Sequence, residues 1–226
     1  MAGIVKTGVP GLDSIFEKKG LIENSTVLVS GEPGAGKSIL ALEFIYNGAK
    51  EFNEKGMFIS SEQTIEKIKS TALSLGMNLE ELEKKGLISM KKADISRGGE
   101  MLPDSIMREI KAKKPKRIVL DSITPFEFLA SDQREFRLRM LSFLEMIEKQ
   151  GSTLLATAEK RLTDFDRVAF DPADFLFDGL ILMGRQRRTV NFQRVLTVIK
   201  MRGTKHSEEL HPISINNKGL SIMTIK

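Results

Sequence analysis

Residues 31–38 read Gly-Glu-Pro-Gly-Ala-Gly-Lys-Ser, a complete G-x-x-x-x-G-K-[ST] loop. Ahead of it runs a β-type segment, Thr26-Val27-Leu28-Val29-Ser30, and behind it an apolar helical stretch begins at Ile39. Strand, glycine loop and helix in that order are the context in which this motif binds phosphate. The requirement is physical: backbone N–H groups have to converge on an anion at the positive end of a helix. On this reading Gly31, Glu32, Pro33, Gly34, Ala35, Gly36, Lys37, Ser38 and Ile39 form a nucleotide cradle. Lys37 reaches the β- and γ-phosphates, and the Ser38 hydroxyl is placed to ligate Mg²⁺. The competing reading is a glycine-rich turn that happens to precede a helix.

The rest of the chain alternates short β-rich runs with helical ones, which predicts an α/β fold: a mostly parallel central sheet with helices on both faces. Strands are expected at 57–61, 87–90, 117–121 and 152–157. Helices are expected at 64–75, ended by Gly76, at 79–85, ended by Gly86, and from Pro103 onward. A further helix at 134–149 carries Phe136, Met140, Phe143, Leu144 and Ile147 on one side. From Gly179 the style changes. Strands at 180–183, 195–201, 212–215 and 220–225 follow one another without helices, which predicts a C-terminal antiparallel extension.

A chain of 226 residues has room for one domain with a full core, so residues 1–226 are expected to form a single unit. The sequence has no cysteine and two histidines, His206 and His211. Disulfides and thiolate metal sites are therefore excluded, and a reducing, cytoplasmic setting is expected. No apolar run approaches the roughly 18 residues of a membrane helix, and the first residues lack the apolar core of a secretion signal. Net charge is a mild +5. Basic clusters at 111–117 and 185–188 could attract nucleic acid or nucleotide. The first also fits a helix C-terminus, where cations complement the dipole.

In open α/β sheets ligands bind beyond the C-terminal ends of the strands. Asp121 closes the apolar run Ile118-Val119-Leu120, where a carboxylate can hold Mg²⁺ directly or through water. Glu62 reads two ways: a base that deprotonates water attacking the γ-phosphate, or an acid favoured in a helix's first turn beside a Ser60–Gln63 capping box. Glu159 is a second polar sensor near the phosphates or a solvated loop residue. In 195–202 strict alternation would put Leu196, Val198, Lys200 and Arg202 on one side. Lys200 and Arg202 then make a compact anion-binding pair, or they blunt an exposed edge strand with charge.

Five motifs taken together resemble KaiC-like ATPases of the RecA superfamily, most closely a single-domain, archaeal-type homologue. They are Thr7-Gly8-Val9-Pro10-Gly11-Leu12-Asp13, the loop at 31–38, Phe58-Ile59-Ser60-Ser61-Glu62-Gln63, Asp121-Ser122, and Lys200-Met201-Arg202-Gly203-Thr204-Lys205-His206. The resemblance implies a RecA-like P-loop core, ATP with Mg²⁺, and assembly into a ring, typically a hexamer, with ATP between neighbours. It makes Glu62 the catalytic glutamate and Lys200 with Arg202 the pair that reaches the neighbour's γ-phosphate. Ala156-Thr157-Ala158-Glu159 is similar to the matching strand end of the first domain of the family's clock protein, a relative with two tandem domains. Members often carry a second acid after the catalytic one and a Gly-Gly pair before the loop; here Gln63 and Lys18-Lys19-Gly20 stand instead. The clock protein's autophosphorylated Ser-Thr pair has no counterpart between Phe165 and Asp178, which contain neither residue.

Two functions are carried forward: a slow ring ATPase acting as a conformational switch for a protein partner, and a RadA-like recombinase paralogue binding DNA. Residues 160–178 hold three cations against five anions, the wrong sign for phosphate contact. Their four phenylalanines, Phe165, Phe170, Phe175 and Phe177, could stack on bases, but burial is the expectation.

Overall fold

The computed structural model describes residues 3–94, 101–162, 165, 168–187 and 189–224. A nine-stranded sheet runs through it in the order β11-β10-β9-β8-β3-β7-β6-β4-β5. In chain order these strands are β3 (Thr26–Gly31), β4 (Gly56–Ser60), β5 (Ile88–Lys92), β6 (Arg117–Asp121), β7 (Thr153–Glu159), β8 (Gly179–Arg187), β9 (Phe192–Met201), β10 (His211–Asn216) and β11 (Gly219–Ile222). A separate two-stranded sheet pairs β1 (Ile4–Val5) with β2 (Leu21–Ile22). The helices are α1 (Leu12–Ile15), α2 (Lys37–Phe52), α3 (Ile65–Ser74), α4 (Leu79–Lys84), α5 (Asp104–Lys113), α6 (Thr124–Leu129) and α7 (Gln133–Gln150). Among the described residues no helix is long and apolar enough to cross a membrane.

Alternation along the buried strands divides the core in two. Val27, Val29, Phe58, Val119 and Leu155 face one apolar cluster with residues of α2, α3 and α4. Leu28, Met57, Ile59, Ile118, Leu120 and Leu154 face another with residues of α5, α6 and α7. Strands buried on both faces read as unbroken apolar runs because helices cover both sides of a parallel sheet.

Most expected elements are present, and the differences have local causes. β8 pairs parallel with β3, so the antiparallel extension begins at β9. The described part of the last strand ends at Ile222, and residues 225 and 226 lie outside the described set. The short helix α6 was not foreseen: six residues with Pro125 at its start give too little periodicity to read. The helix expected from residue 64 starts at Ile65, with the Thr64 hydroxyl capping Lys67 N–H at 3.4 Å.

One larger correction concerns the cations of 111–117. Lys111 and Lys113 do sit in the last turn of α5, but Arg117 is fully buried. Its Nη1 donates to Phe44 O at 2.9 Å and its Nη2 to Lys6 O at 2.6 Å, while Glu54 pairs with it at 2.5 Å. The guanidinium also lies 4.7 Å from the Phe44 ring centroid. It therefore joins the N-terminal segment to α2 and is spent on structure.

Glu43 is a second buried charge-bearing group, on the helix that follows the glycine loop. It is 3% exposed, Oε1 accepts the Leu220 N–H of β11, and Oε2 has no partner among the described residues. Burial pushes its carboxyl up to about 7 from an ordinary 4.5. The folded chain thus keeps a proton that the unfolded chain releases, so stability falls as pH rises from 4.5 to about 7. The full penalty above that window is roughly 3 kcal/mol. Glu43→Gln should flatten this slope and gain on the wild type by that amount at pH 8 relative to pH 4.5, read as urea midpoints; parallel pH profiles for the two proteins would refute the assignment.

Candidate nucleotide site

The site is built at the C-terminal edge of the parallel strands. β3 lies between β7 and β8, with Gly31 level with Glu159 on one side and Met183 on the other. Gly31 has to be glycine, since a Cβ there would stand 1.8 Å from the Met183 carbonyl oxygen. The loop then turns into α2, whose first residues, Lys37, Ser38 and Ile39, line a cavity of about 410 Å³ together with Gly34, Gly36, Arg194 and Ile215. The N-cap of α2 is Gly36, and no side chain caps it. A helix N-terminus without a side-chain cap leaves its N–H groups for an anion.

Lys37 Nζ donates to the carbonyls of Gly31 at 2.7 Å and Glu32 at 2.9 Å. Burial lowers its pKa, and the carboxylates of Glu159, Asp121, Glu62 and Glu32 partly offset that. The same carboxylates act on one another. Burial pushes Glu62 above the ordinary glutamate range; Glu159 and Asp121 add to this, while Ser122 and Lys92 oppose it. Lys37, Glu62, Asp121 and Glu159 are therefore one electrostatic unit.

Asp121 is buried at the end of β6 and accepts a hydrogen bond from the Thr157 hydroxyl of β7. Glu62 follows β4 and stands ahead of α3, whose N-cap is Thr64. Ser60 Oγ bonds to the main chain of Gln63, accepting at 3.1 Å and donating at 2.8 Å, rather than forming a capping box. The first-turn reading of Glu62 is removed, because the helix begins three residues later. Its segment is tied to β6 instead: Ser61 Oγ donates to Ser122 O at 2.7 Å and accepts from Ser122 N–H at 2.9 Å. Ser122 Oγ lies 3.4 Å from Glu62 Oε1. Glu159 ends β7 with an exposed side chain, and its N–H donates to Thr124 Oγ1 at 2.9 Å.

The donor set suits the ligands implied by the motif. The Ser38 hydroxyl and the Asp121 carboxylate are hard oxygen donors, the type Mg²⁺ prefers, and nucleotide phosphates ordinarily complete its shell. Among the described residues no group of three or more His, Cys, Asp or Glu could hold a metal alone. A Mg²⁺ shared with phosphate oxygens needs no such group.

Lys200 and Arg202 are not part of this constellation within one chain. β9 runs antiparallel to β8, and Met201 is level with Gly179 at the start of β8, the end of the sheet away from Gly31. Lys200 Nζ donates to Phe177 O at 2.7 Å, and Arg202 Nη1 pairs with Asp178 at 3.3 Å. The expected shared face is also wrong. The register shifts between Leu180 and Ile181, skipping Ile199, so Leu196, Val198 and Met201 share an apolar cluster. A bulge inserts one residue and inverts the alternation beyond it. Lys200 and Arg202 consequently lie on the face opposite Leu196 and Val198.

Three features were missed in the sequence. Thr157 anchors Asp121, Arg194 lines the loop cavity, and a second cavity of about 620 Å³ opens beside Glu62 and Glu159, walled by Thr124, Pro125, Phe128 and Leu129. The phenylalanines of 160–178 also depart from expectation. Phe177 is buried and Phe165 half-buried, but Phe170 and Phe175 are exposed and meet edge to face at 6.2 Å. Phe175 ends the 3₁₀ turn at Pro172–Phe175, and Phe170 lies two residues ahead of that turn. Asp164, Asp166, Arg167 and Arg188 lie outside the described residues.

Comparison with known proteins settles the family. The family described as "ATPase: KaiC" matches residues 5–226. This chain belongs to it. A crystal structure of a KaiC-like protein from the archaeon Pyrococcus horikoshii OT3 superposes with a TM-score of 0.84 at 29% identity, covering 99% of this chain and 100% of that one. A UPF0273 protein of Aeropyrum pernix is 30% identical, with 98% of this chain and 94% of its own length covered. The circadian clock oscillator protein KaiC of Thermostichus vulcanus is 29% identical over 98% of this chain, but the match spans only 44% of that protein. The chain thus corresponds to about half of the clock protein and to nearly the whole of the archaeal relatives, and its α/β fold is that of the KaiC-like RecA group.

Proposed function

We propose that this KaiC-family protein is a slow ATPase that works as a ring, its hydrolysis switching conformations read by a protein partner. The observation that carries this reading is the convergence of Lys37, Asp121, Glu62 and Glu159 on the edge where the glycine loop turns into α2. The loop amides and Lys37 hold the triphosphate. Ser38 and Asp121 would hold Mg²⁺, which neutralises charge on the phosphate oxygens. Glu62, near Ser122 and held above its ordinary pKa, accepts the proton of the attacking water. Glu159 orients polar groups at the same edge. Transfer goes to water rather than to the chain itself, since residues 165–178 offer no hydroxyl acceptor in the clock protein's position. Gln63 in place of a second acid leaves one base and favours slow turnover.

Lys200 and Arg202 complete the site from the adjacent subunit of the ring. Their place at the far end of the sheet from Gly31 suits a pair that serves a neighbour rather than its own loop. Cations there stabilise transition-state charge as an arginine finger does.

A second reading, ATP-dependent DNA binding, is favoured by one observation, the exposed Phe170–Phe175 pair. It is opposed by charge. Lys160, one of three cations in that segment, is 5% exposed and locked by Asp171 and Asp174 at 2.5 and 2.7 Å.

Glu62→Gln should keep nucleotide affinity and lower phosphate release by at least about 10²-fold. In the wild type, release should rise with pH through an apparent pKa above 4.5, because only the ionised carboxylate accepts a proton; a variant with an unchanged rate would remove Glu62 from catalysis. Lys37→Ala should lose ATP binding, and mixing it with Arg202→Ala subunits should restore part of the activity that neither has alone. Mixtures no better than the separate variants would argue against action between subunits. A low-salt gel shift with ATP and single-stranded DNA should show no complex; a salt-sensitive complex would instead establish the recombinase reading.

A further inference from the structure

β8 and β9 continue past the end of β3 as an antiparallel ribbon in which Arg185 stands directly opposite Arg194, with β10 still paired to β9 at Arg194 through Ile213. Like charges at directly opposed positions destabilise a ribbon, so this pair calls for a compensating partner. Both side chains turn onto the main chain of the phosphate loop. Arg194 Nε donates to Gly34 O at 3.0 Å, and Arg185 Nη2 makes a longer bond to Pro33 O at 3.4 Å. The Arg185 N–H also donates to Glu32 Oε2 at 3.2 Å. Gly34 is shaped for this approach: its φ is +75°, and a Cβ on it would stand 2.3 Å from Arg185 Nη2.

The geometry has a direct consequence for the amides. In a trans peptide the C=O and N–H point in opposite directions. An arginine that holds the Pro33 carbonyl outward turns the Gly34 N–H to the inner side of the loop. One that holds the Gly34 carbonyl outward supports the turn that Ala35 N–H closes onto Glu32 O at 3.2 Å. A charged donor on a carbonyl also polarises that peptide and strengthens its N–H as a donor. Arg194 further lines the loop cavity with Lys37 and Ser38, adding positive potential where a polyanion would sit.

We propose that Arg194 and Arg185 are positioning residues for the phosphate loop: Arg185 on the Pro33 carbonyl keeps the Gly34 N–H aimed at nucleotide phosphate, and Arg194 on the Gly34 carbonyl holds the Glu32–Ala35 turn in the shape that presents it. This rests on the reading of the loop as the nucleotide site. Neither arginine belongs to the loop motif or to the residues through which the family resemblance was drawn.

The test uses the full chain with Arg194→Gln, Arg194→Lys, the double Arg185→Gln/Arg194→Gln variant, and Lys37→Ala as reference. Affinity for a fluorescent ADP analogue is read by equilibrium titration, KM and kcat from phosphate release, and folding from the melting temperature without nucleotide. Arg194→Gln should weaken ADP binding about tenfold, with the loss falling on KM rather than on kcat. The double variant should lose more, and Arg194→Lys should recover part of the affinity because an ammonium can still reach one carbonyl. ADP affinity like the wild type's in the folded double variant would overturn the bracing role, as would a loss confined to kcat. If Lys37→Ala also binds ADP normally, the nucleotide-site reading itself fails. If Lys37→Ala loses ADP while the arginine variants keep it, only the brace is wrong.

Discussion

The register of β3 between β7 and β8 is the constraint on which the site depends. It places Gly31 level with Glu159 and against the Met183 carbonyl, with no room for a side chain. From that point the backbone has one route, up over the sheet edge and into α2. Parallel strands are spaced by about 4.8 Å, so residues that end neighbouring strands are brought together without any side-chain search. Asp121 at the end of β6 and Glu62 just past β4 arrive at the same edge for that reason. The parallel sheet is thus what converts four residues scattered over more than a hundred positions into one electrostatic unit.

That unit is costly, and the structure shows how it is held. Burial pushes Glu62 above its ordinary range, and repulsion from Glu159 and Asp121 adds to that shift. Hydrogen bonds tie the strand ends down: Thr157 holds Asp121, and the paired bonds between Ser61 and Ser122 join the Glu62 segment to β6. Elsewhere charge is buried for structure alone. Arg117 satisfies three carbonyls and Glu54 while stacking on Phe44, and the Lys160 cluster fixes the segment before β8. These groups show why a cation count from sequence misjudges the surface. Arg117 and Lys160, both counted as cations in the sequence, are consumed inside the fold.

The C-terminal strands do more than extend the sheet. Ile215 and Arg194 wall the loop cavity, Leu220 N–H is bonded to Glu43 on the helix behind the loop, and the β8–β9 ribbon leans on the loop carbonyls. Meanwhile the far end of β9 carries Lys200 and Arg202 to the opposite end of the sheet. One strand therefore touches the glycine loop of its own chain at its start and carries two cations to the far edge of the sheet at its finish.

Sequence by itself determined the glycine loop with its flanking strand and helix, the parallel α/β order, the strand end at Asp121 and the family. Each of these is a local pattern or a fixed spacing, set by backbone geometry within a few residues. The tertiary structure decided the rest. It inverted the face of Lys200 and Arg202, because a one-residue bulge at Ile199 leaves no mark in composition. It buried Arg117 and decided between the two readings of Glu62, which stands three residues ahead of α3, because burial and capping depend on partners distant in the chain. It also brought Arg185 and Arg194 onto the phosphate loop, since a contact across about 160 positions is specified by strand pairing and not by anything adjacent in sequence.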